Sequence, residues 1–509
     1  MHSENSPADS SGIDPEDLTT TLRVLGSLHL VNPQHPDYIA VRQATAHMFK
    51  AAKQARRREL RAEVLEADQA VIAATATGAP HRIDDETQGK SLSSTTSHAI
   101  VAGTLRRAQS CYMCKQRFTQ IDWFYHQLCP RCAAFSHSKR DARTDLTGRR
   151  ALLTGGRAKI GMHIALRLLR DGAHVTITTR FPTDAARRFM LHDESHQWLD
   201  RLTIIGIDLR DPAQVIRLAD TVAADGPLDI VINNAAQTVR RSPGAYAPLI
   251  EAESHPLPDG PRPRTLHMGA STHVHPLALE RSIGDNPLLL RAAHLAGTVA
   301  EHTSSRALTA NDVTQQALLA GSASLERHKT GTAIDAGGLV PDTGRSNSWT
   351  QNVGEIDPLE LLEVQLCNST APFILIDRLR PALAQGSAHA ASQRAYVVNV
   401  SAMEGVFSRR YKGPGHPHTN MSKAALNMVT RTSAEEMFET DRILMTSVDT
   451  GWITDERPHD TKIRLAEEGF HAPLDLVDGA ARVYDPIVRG ESGEDLYGVF
   501  LKDYRSADW

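Results

Sequence analysis

The spacing of apolar positions divides the chain into two regimes. From residue 37 to about 76 the sequence is rich in Ala, Arg, Glu and Leu and holds neither proline nor glycine, which predicts one long helix or a broken pair. After residue 145 short apolar runs alternate with stretches of helical period up to the C-terminus. Runs at 151–154, 174–179, 203–207, 229–232, 396–400, 444–448 and 497–501 predict strands with helices between most of them. This alternation predicts an α/β fold, a doubly wound parallel sheet with its ligand at the carboxyl ends of the strands. Within it, residues 151–161 form the sharpest unit. An apolar run meets Gly155 and Gly156, and Ile160, Ile164, Ala165, Leu168 and Leu169 then recur at helical spacing. A glycine turn between strand and helix is the setting in which backbone amides and the helix dipole hold a phosphate. One long stretch, 238–355, breaks the pattern and is rich in Gly, Pro, His and Ser. Helices are expected in it around 286–302 and 311–326, and its size predicts a lid, an interface or partial disorder.

Length and composition set the rest of the organisation. The 509 residues suffice for two or three domains. The predicted division is a disordered or loosely ordered segment 1–35, a helical segment 36–78, a linker 79–105, a small cysteine module 106–140, and an α/β domain 146–509 with the insertion 238–355. A net charge of −4 leaves no global footprint for nucleic acid or a membrane surface. The polar, acidic N-terminus and the expected lack of an apolar run of spanning length predict a cytoplasmic protein with no membrane partner. The basic run at 53–61 reads as a solvated helix face or as a surface for a partner.

Four of the five cysteines fall within twenty-two residues, as Cys111-Tyr-Met-Cys114 and Cys129-Pro-Arg-Cys132. Two such knuckles fourteen residues apart let four thiolates converge on one Zn²⁺, with Phe118, Trp123, Phe124 and Tyr125 as a small core. Four thiolates close a tetrahedral site, which predicts a structural metal. Arg106, Arg107, Lys115 and Arg131 lie close by, so a nucleic-acid or protein partner for this module stays open.

From residue 146 onward the ordered motifs resemble the short-chain dehydrogenase/reductase family. Thr154-Gly-Gly-Arg-Ala-Lys-Ile-Gly161 is similar to its glycine turn, Asp208 follows the third strand, and Asn233-Asn-Ala-Ala236 follows the fourth. Asn368, the strand end at Ser401, the pair Ser422-Lys423 and the loop Asp449-Thr-Gly-Trp-Ile-Thr454 match later motifs. The resemblance implies that Thr154, Gly155, Gly156, Ile160, Gly161, Gly451 and Thr454 shape a dinucleotide site, with Asp208 on the adenine and Asn233 and Ala235 at the ribose. It implies that Lys423 holds the nicotinamide ribose, that Asn368 anchors a relay water, and that the protein is a homo-oligomer acting on a small molecule. Charge refines the cofactor. The second strand ends in Thr178-Thr-Arg-Phe181 with no acidic residue, and Arg157 and Lys159 lie in the turn, which favours NADP(H) over NAD(H) at Arg180.

The chain departs from the family pattern at the proton donor. Four residues before Lys423, where the family carries a tyrosine, stands Thr419, a hydroxyl too weakly acidic to replace it. Ser401 falls one residue early, and Lys159 occupies the place of a glycine. Tyr411, or His416 or His418, offers a substitute acid from the loop 409–419. Two functions follow: an NADP(H)-dependent oxidoreductase for a carbonyl or alcohol with a non-standard acid, or a cofactor-binding scaffold whose zinc module recruits a protein or nucleic acid.

Overall fold

The computed structural model describes residues 12–83, 101–278, 309–319, 321–409, 411–454 and 456–509. The chain divides into two compact units, Met1–Gln69 and Ala70–Trp509. The first holds α1 (Pro15–Ser27) and most of α2 (Pro36–Ala73), so part of the segment expected to be loosely ordered is helix. Asp14 explains the start of α1: its carboxylate accepts from the amides of Glu16 and Asp17, and Pro15 stands where no amide is needed. Neither helix has a buried residue, and Leu22, Met48, Phe49 and Leu65 are exposed.

The second unit begins with the cysteine module, a hairpin of β1 (Val101–Ser110) and β2 (Arg117–Asp122) followed by α3 (Pro130–Arg140). Strand β1 begins inside the segment predicted as linker. The module belongs to the same compact unit as the sheet.

The main sheet has nine strands in the order β11-β10-β9-β8-β6-β3-β4-β5-β7. These are β3 (Arg150–Leu153), β4 (His174–Thr179), β5 (Leu202–Gly206), β6 (Ile230–Asn233), β7 (Arg264–His267), β8 (Ala395–Ser401), β9 (Ile443–Asp449), β10 (Phe500–Lys502) and β11 (Arg505–Ala507). All pairings are parallel except β10 with β11. The seven predicted strands are present, and β7 and β11 extend the two edges. Strand β7 comes from within the insertion and pairs with β5.

Alternation along the strands builds two cores. Leu152, Val231, Val397 and Met445 lie in one cross-strand row, and all belong to one apolar cluster. It packs against α6 (Pro212–Ala224), α11 (Ala371–His389) and α12 (Pro417–Asp441) through residues such as Leu218, Leu379 and Met437. Leu153, Ile232 and Val398 face the other way, onto α4 (Lys159–Arg170), α5 (Pro182–Met190) and α14 (Leu476–Glu491). Both-sided burial is why the strands read as continuous apolar runs.

The insertion contributes α7 (Ala247–Glu253), α8 (Ala310–Leu318) and α9 (Leu325–Thr330) besides β7. The helix expected around 286–302 lies outside the described residues, and the one expected at 311–326 is divided into α8 and α9. Short α10 (Pro358–Gln365) passes through a π-turn, Leu366–Thr370, into α11. The continuous stretch Pro358–His389 is long and apolar enough to cross a membrane by length and composition, contrary to the expected lack of such a run. In the fold Leu375, Leu379 and Leu383 of this stretch are buried in the second core. The remaining helix is α13 (His459–Glu467).

Candidate active site

A cleft of about 420 Å³ opens over the carboxyl ends of β3, β4, β5 and β6, where the order of successive strands reverses between β3 and β6. Its floor is the glycine turn. Gly155 has φ +70°, which a side chain would strain. A Cβ on Gly161 would stand 2.0 Å from the Gly155 carbonyl oxygen, so only glycine lets the helix start lie this close to the turn. Gly156 is excluded from substitution for another reason: its Cβ would meet Ile177 at 2.5 Å. Thr154 Oγ1 accepts from the amides of Asn234 and Ala235, tying the turn to the loop after β6.

Lys159 does not block this cradle. Its φ of +53° is the left-handed conformation a glycine would take, and its ammonium pairs with Asp335 of the insertion at 3.1 Å. Arg157 is likewise engaged, donating to Asp184 at 2.5 Å and to the Gly337 carbonyl at 2.9 Å. Asp184 is fully buried and also receives Arg188 and the Thr314 hydroxyl of α8. Burial alone would raise its pKa, but Arg188 and Arg157 hold it down at about 2. The insertion thereby forms a wall of the cleft, with Gly337 and Leu339 in its lining.

Arg180 at the end of β4 is the contrasting cation. It is exposed, lies against the rings of Phe181 and Tyr246, and makes no ion pair among the described residues. Asp208 also lines the cleft, but its carboxylate is committed to Arg210 and to His275 at 3.0 Å. Burial opposes its ionisation, and these donors overcome it and hold it well below the usual carboxylate range. Arg210 continues to the buried Glu363 at 2.7 Å, and Glu363 accepts from Gln237 Nε2 at 2.9 Å. No sequence motif marks Arg210 or Glu363, because the pair joins residues 153 positions apart.

Asn233 sits within β6 and donates to Asn399 beneath the cleft, whereas its neighbour Asn234 lines the cleft and bonds the carbonyls of Thr154 and Gly155. The doubled asparagine was the available signal for Asn234. Ala235, Ile160 and Thr454 line the cleft as expected, and Gly451 has φ +81°.

Asn368 lies in the π-turn, a local widening of the helix that recurs at functional positions. Its side chain accepts from Gln237 N at 2.7 Å and donates to Gln237 O and Ser422 Oγ. Both amide hydrogens are spent as a staple between the loop after β6 and α12, leaving the side chain one oxygen lone pair for a water. Lys423 on α12 is buried and donates to the Val400 carbonyl at 2.8 Å. Burial lowers its pKa to about 8, against the opposing influence of Cys367 and Glu404. Cys367 lines the cleft, and burial raises its thiol to about 11.

The candidate acids are not gathered at Lys423. Tyr411 is 74% exposed. Thr419 is buried with its hydroxyl toward the Thr238 carbonyl at 3.4 Å. His418 is buried, burial lowers its pKa, and neither ring nitrogen has a well-formed hydrogen bond among the described residues. His416 is stacked on Trp349 at 4.0 Å and bonds its carbonyl. Ser401 shares the strand parity of Asn399, which bonds Thr430 of α12, and its buried hydroxyl has no partner among the described residues.

The four cysteines come together as spaced. Their sulfur atoms all lie within 4.8 Å of one another, and Cys114 and Cys129 are 3.7 Å apart. Tetrahedral Zn–S bonds of about 2.3 Å require S···S separations of about 3.8 Å, so the donor set fits Zn²⁺. The second knuckle is the N-terminus of α3, with Cys129 as its cap.

Residues 149–248 match the short chain dehydrogenase family model. This segment, which carries the glycine cradle just described, is similar to the short-chain dehydrogenases. Relatives are distant. An uncharacterized protein of Acanthamoeba polyphaga mimivirus is 28% identical over 393 residues, covering 74% of this chain and 71% of its own. A "probable oxidoreductase" of Streptomyces antibioticus is 41% identical over 91 residues, which is 18% of this chain and only 30% of that protein. Among solved structures, the Pseudomonas aeruginosa RhlG/NADP active-site complex aligns with a TM-score of 0.41 at 18% identity, over 70% of this chain and 95% of that one.

Proposed function

We propose that the protein is an NADP(H)-dependent oxidoreductase of short-chain type, acting on a carbonyl or alcohol, with a structural Zn²⁺ in its four-cysteine site. The observation that carries the cofactor reading is the cradle at Gly155 and Gly161, with Arg180 beside it. Of the three cations placed there by sequence, Arg157 and Lys159 are paired with carboxylates, and Arg180 makes no such pair among the described residues. A 2′-phosphate offers the anion Arg180 lacks. When bound, the dinucleotide supplies or accepts the hydride. Lys423, next to the cleft-lining Cys367, is the buried cation whose pKa of about 8 suits proton exchange near neutral pH. A second, polar cavity of about 220 Å³ adjoins the cleft at Val239, Arg241 and Glu456, and it offers a chamber for a small polar substrate.

The scaffold reading is favoured by one observation: no phenol is gathered at Lys423, since Tyr411 is exposed and Thr419 is turned to a backbone carbonyl. A screen of carbonyl compounds following NADPH absorbance, with Lys423→Ala as control, separates the two. Bound cofactor without turnover on any compound, together with retention on a nucleic-acid or protein bait, would favour the scaffold. For the cofactor itself, wild type should bind NADPH more tightly than NADH and Arg180→Asp should lose that preference; equal wild-type affinities would sink the assignment. We further propose a homo-oligomer, for which exposed Met421 and Met428 of α12 and Phe373 of α11 supply apolar surface; sedimentation equilibrium checks it.

A further inference from the structure

The cysteine module reaches the loop that lines the cleft through a hydrogen bond of one side chain and through apolar packing. Tyr112, inside the first knuckle, accepts a hydrogen bond from the Trp452 amide at 3.0 Å through its phenolic oxygen. Trp452 belongs to the loop leaving β9, and the next two residues, Ile453 and Thr454, line the cleft. The loop is tightly seated there. A Cβ on Gly451 would meet Leu474 at 2.5 Å and the Tyr112 oxygen at 3.5 Å. Ile453 and Leu474 belong to the same apolar cluster as Cys111, Cys129, Cys132 and Phe124. The cleft loop is therefore packed on the cysteine module as well as on the sheet.

Further anchors tie the module, and the chain before it at Arg82, to the elements that follow this loop. Arg140 of α3 pairs with Asp475 and Asp478 at the start of α14, and Tyr125 donates to Asp478 at 2.5 Å. Arg82 donates to the carbonyls of Ala472 and Leu474. The knuckle that carries Tyr112 is held by backbone bonds from Cys111 N to Gln116 O, Lys115 N to Cys111 O and Tyr112 N to Gln127 O, and by the Cys129 amide on Cys111 Sγ and the Ser136 hydroxyl on Met113 Sδ. Two of its residues, Cys111 and Cys114, belong to the four-thiolate set, so a bound metal would tie this turn directly to Cys129 and Cys132.

We propose that the cysteine module is a metal-set clamp on the cofactor loop, with Tyr112 as its positioning residue, so that metal and dinucleotide bind with positive coupling. This rests on the reading of the cleft as an NADP(H) site. Metal holds the knuckle, the knuckle holds the Tyr112 hydroxyl, and the hydroxyl holds the 451–454 loop in the form that lines the cleft. Linkage makes the effect mutual: whatever factor the metal gives to cofactor affinity, the cofactor gives to metal affinity.

The test uses the full chain. NADPH binding is titrated for wild type and Tyr112→Phe, both loaded with one Zn²⁺, and zinc transfer to a chromophoric chelator is followed with and without NADPH. The phenylalanine keeps the ring, with Lys115 and Lys502 over it, and removes the hydroxyl. Tyr112→Phe should weaken NADPH by about three- to tenfold, the range for one lost hydrogen bond, at unchanged zinc content. NADPH should slow zinc loss in wild type, and slow it less in the variant. Unchanged NADPH affinity in Tyr112→Phe, or zinc loss indifferent to NADPH, overturns the clamp and leaves the cofactor reading standing. A wild type that fails to bind NADPH at all overturns both.

Discussion

Lys423 carries a cost that can be measured. Its ammonium is enclosed by α12 and the end of β8, with Val400 O its hydrogen-bond acceptor, and burial lowers its pKa from 10.5 to about 8. The folded state therefore binds fewer protons than the unfolded chain between those two values, and stability must rise with pH across that window. Below pH 8 both states are charged and the full cost is present, about 3 kcal/mol at roughly 1.4 kcal/mol per pH unit. Above 10.5 both are neutral and the cost is gone. Lys423→Met keeps the length of the side chain and cannot be charged. At pH 7 it forfeits the hydrogen bond, about 1 kcal/mol, and escapes the burial cost, for a net gain of about 2 kcal/mol. That advantage should shrink as pH rises through 8 toward 10.5 and end as a small loss. Urea unfolding of both proteins at pH 7, 8, 9 and 10 reads it, and taking the difference cancels groups common to both. A variant less stable than wild type at pH 7, or a difference that does not change with pH, would refute the buried-charge account. A gain in stability with a loss of turnover would mark Lys423 as kept for function.

Two further substitutions test the supports around the cleft. Because Lys159 has φ +53° at the first position of α4, Lys159→Gly should be more stable than Lys159→Ala by about 1 kcal/mol in chemical denaturation; the reverse order, normal within a helix, would show that the turn is not left-handed there. Arg140→Met leaves Asp475 and Asp478 buried without their cation and should cost about 3–5 kcal/mol, so a measured loss under about 1 kcal/mol would refute the buried triad.

The central fold was legible because its signals are local. Each strand that is buried on both faces had to be a continuous apolar run, Gly161 is demanded by the Gly155 carbonyl six residues before it, and Gly155 by its own φ of +70°. The four cysteines were legible for the same reason. Strands β7 and β11 were not, since each is only three or four residues long and has exposed positions, and so carries no period. The cleft's electrostatics were only half legible. Sequence placed three cations at the phosphate end, but which of them had carboxylate partners depended on Asp184 and Asp335, one from α5 and one from the distant insertion. Tyr112 gave no signal at all, because its partner is 340 residues away.

The substitution at residue 159 shows how the insertion and the glycine turn depend on each other. A lysine in left-handed backbone costs about 1–2 kcal/mol relative to glycine, so on local grounds alone the exchange is unfavourable. Its ammonium, however, is directed to Asp335, a carboxylate that burial would otherwise raise and that Lys159 and Arg241 instead hold well below its ordinary range. Asp335 in turn accepts from the Leu339 amide and so shapes the 335–339 turn that walls the cleft. Arg157 does the same one turn away by taking the Gly337 carbonyl. Removing the insertion would take Asp335 from Lys159, leaving its left-handed backbone without that ion pair, and would take the Gly337 carbonyl from Arg157, which would keep Asp184. The left-handed lysine at residue 159 and the insertion therefore support each other at the mouth of the cleft, while the backbone geometry of its floor stays that of a glycine turn.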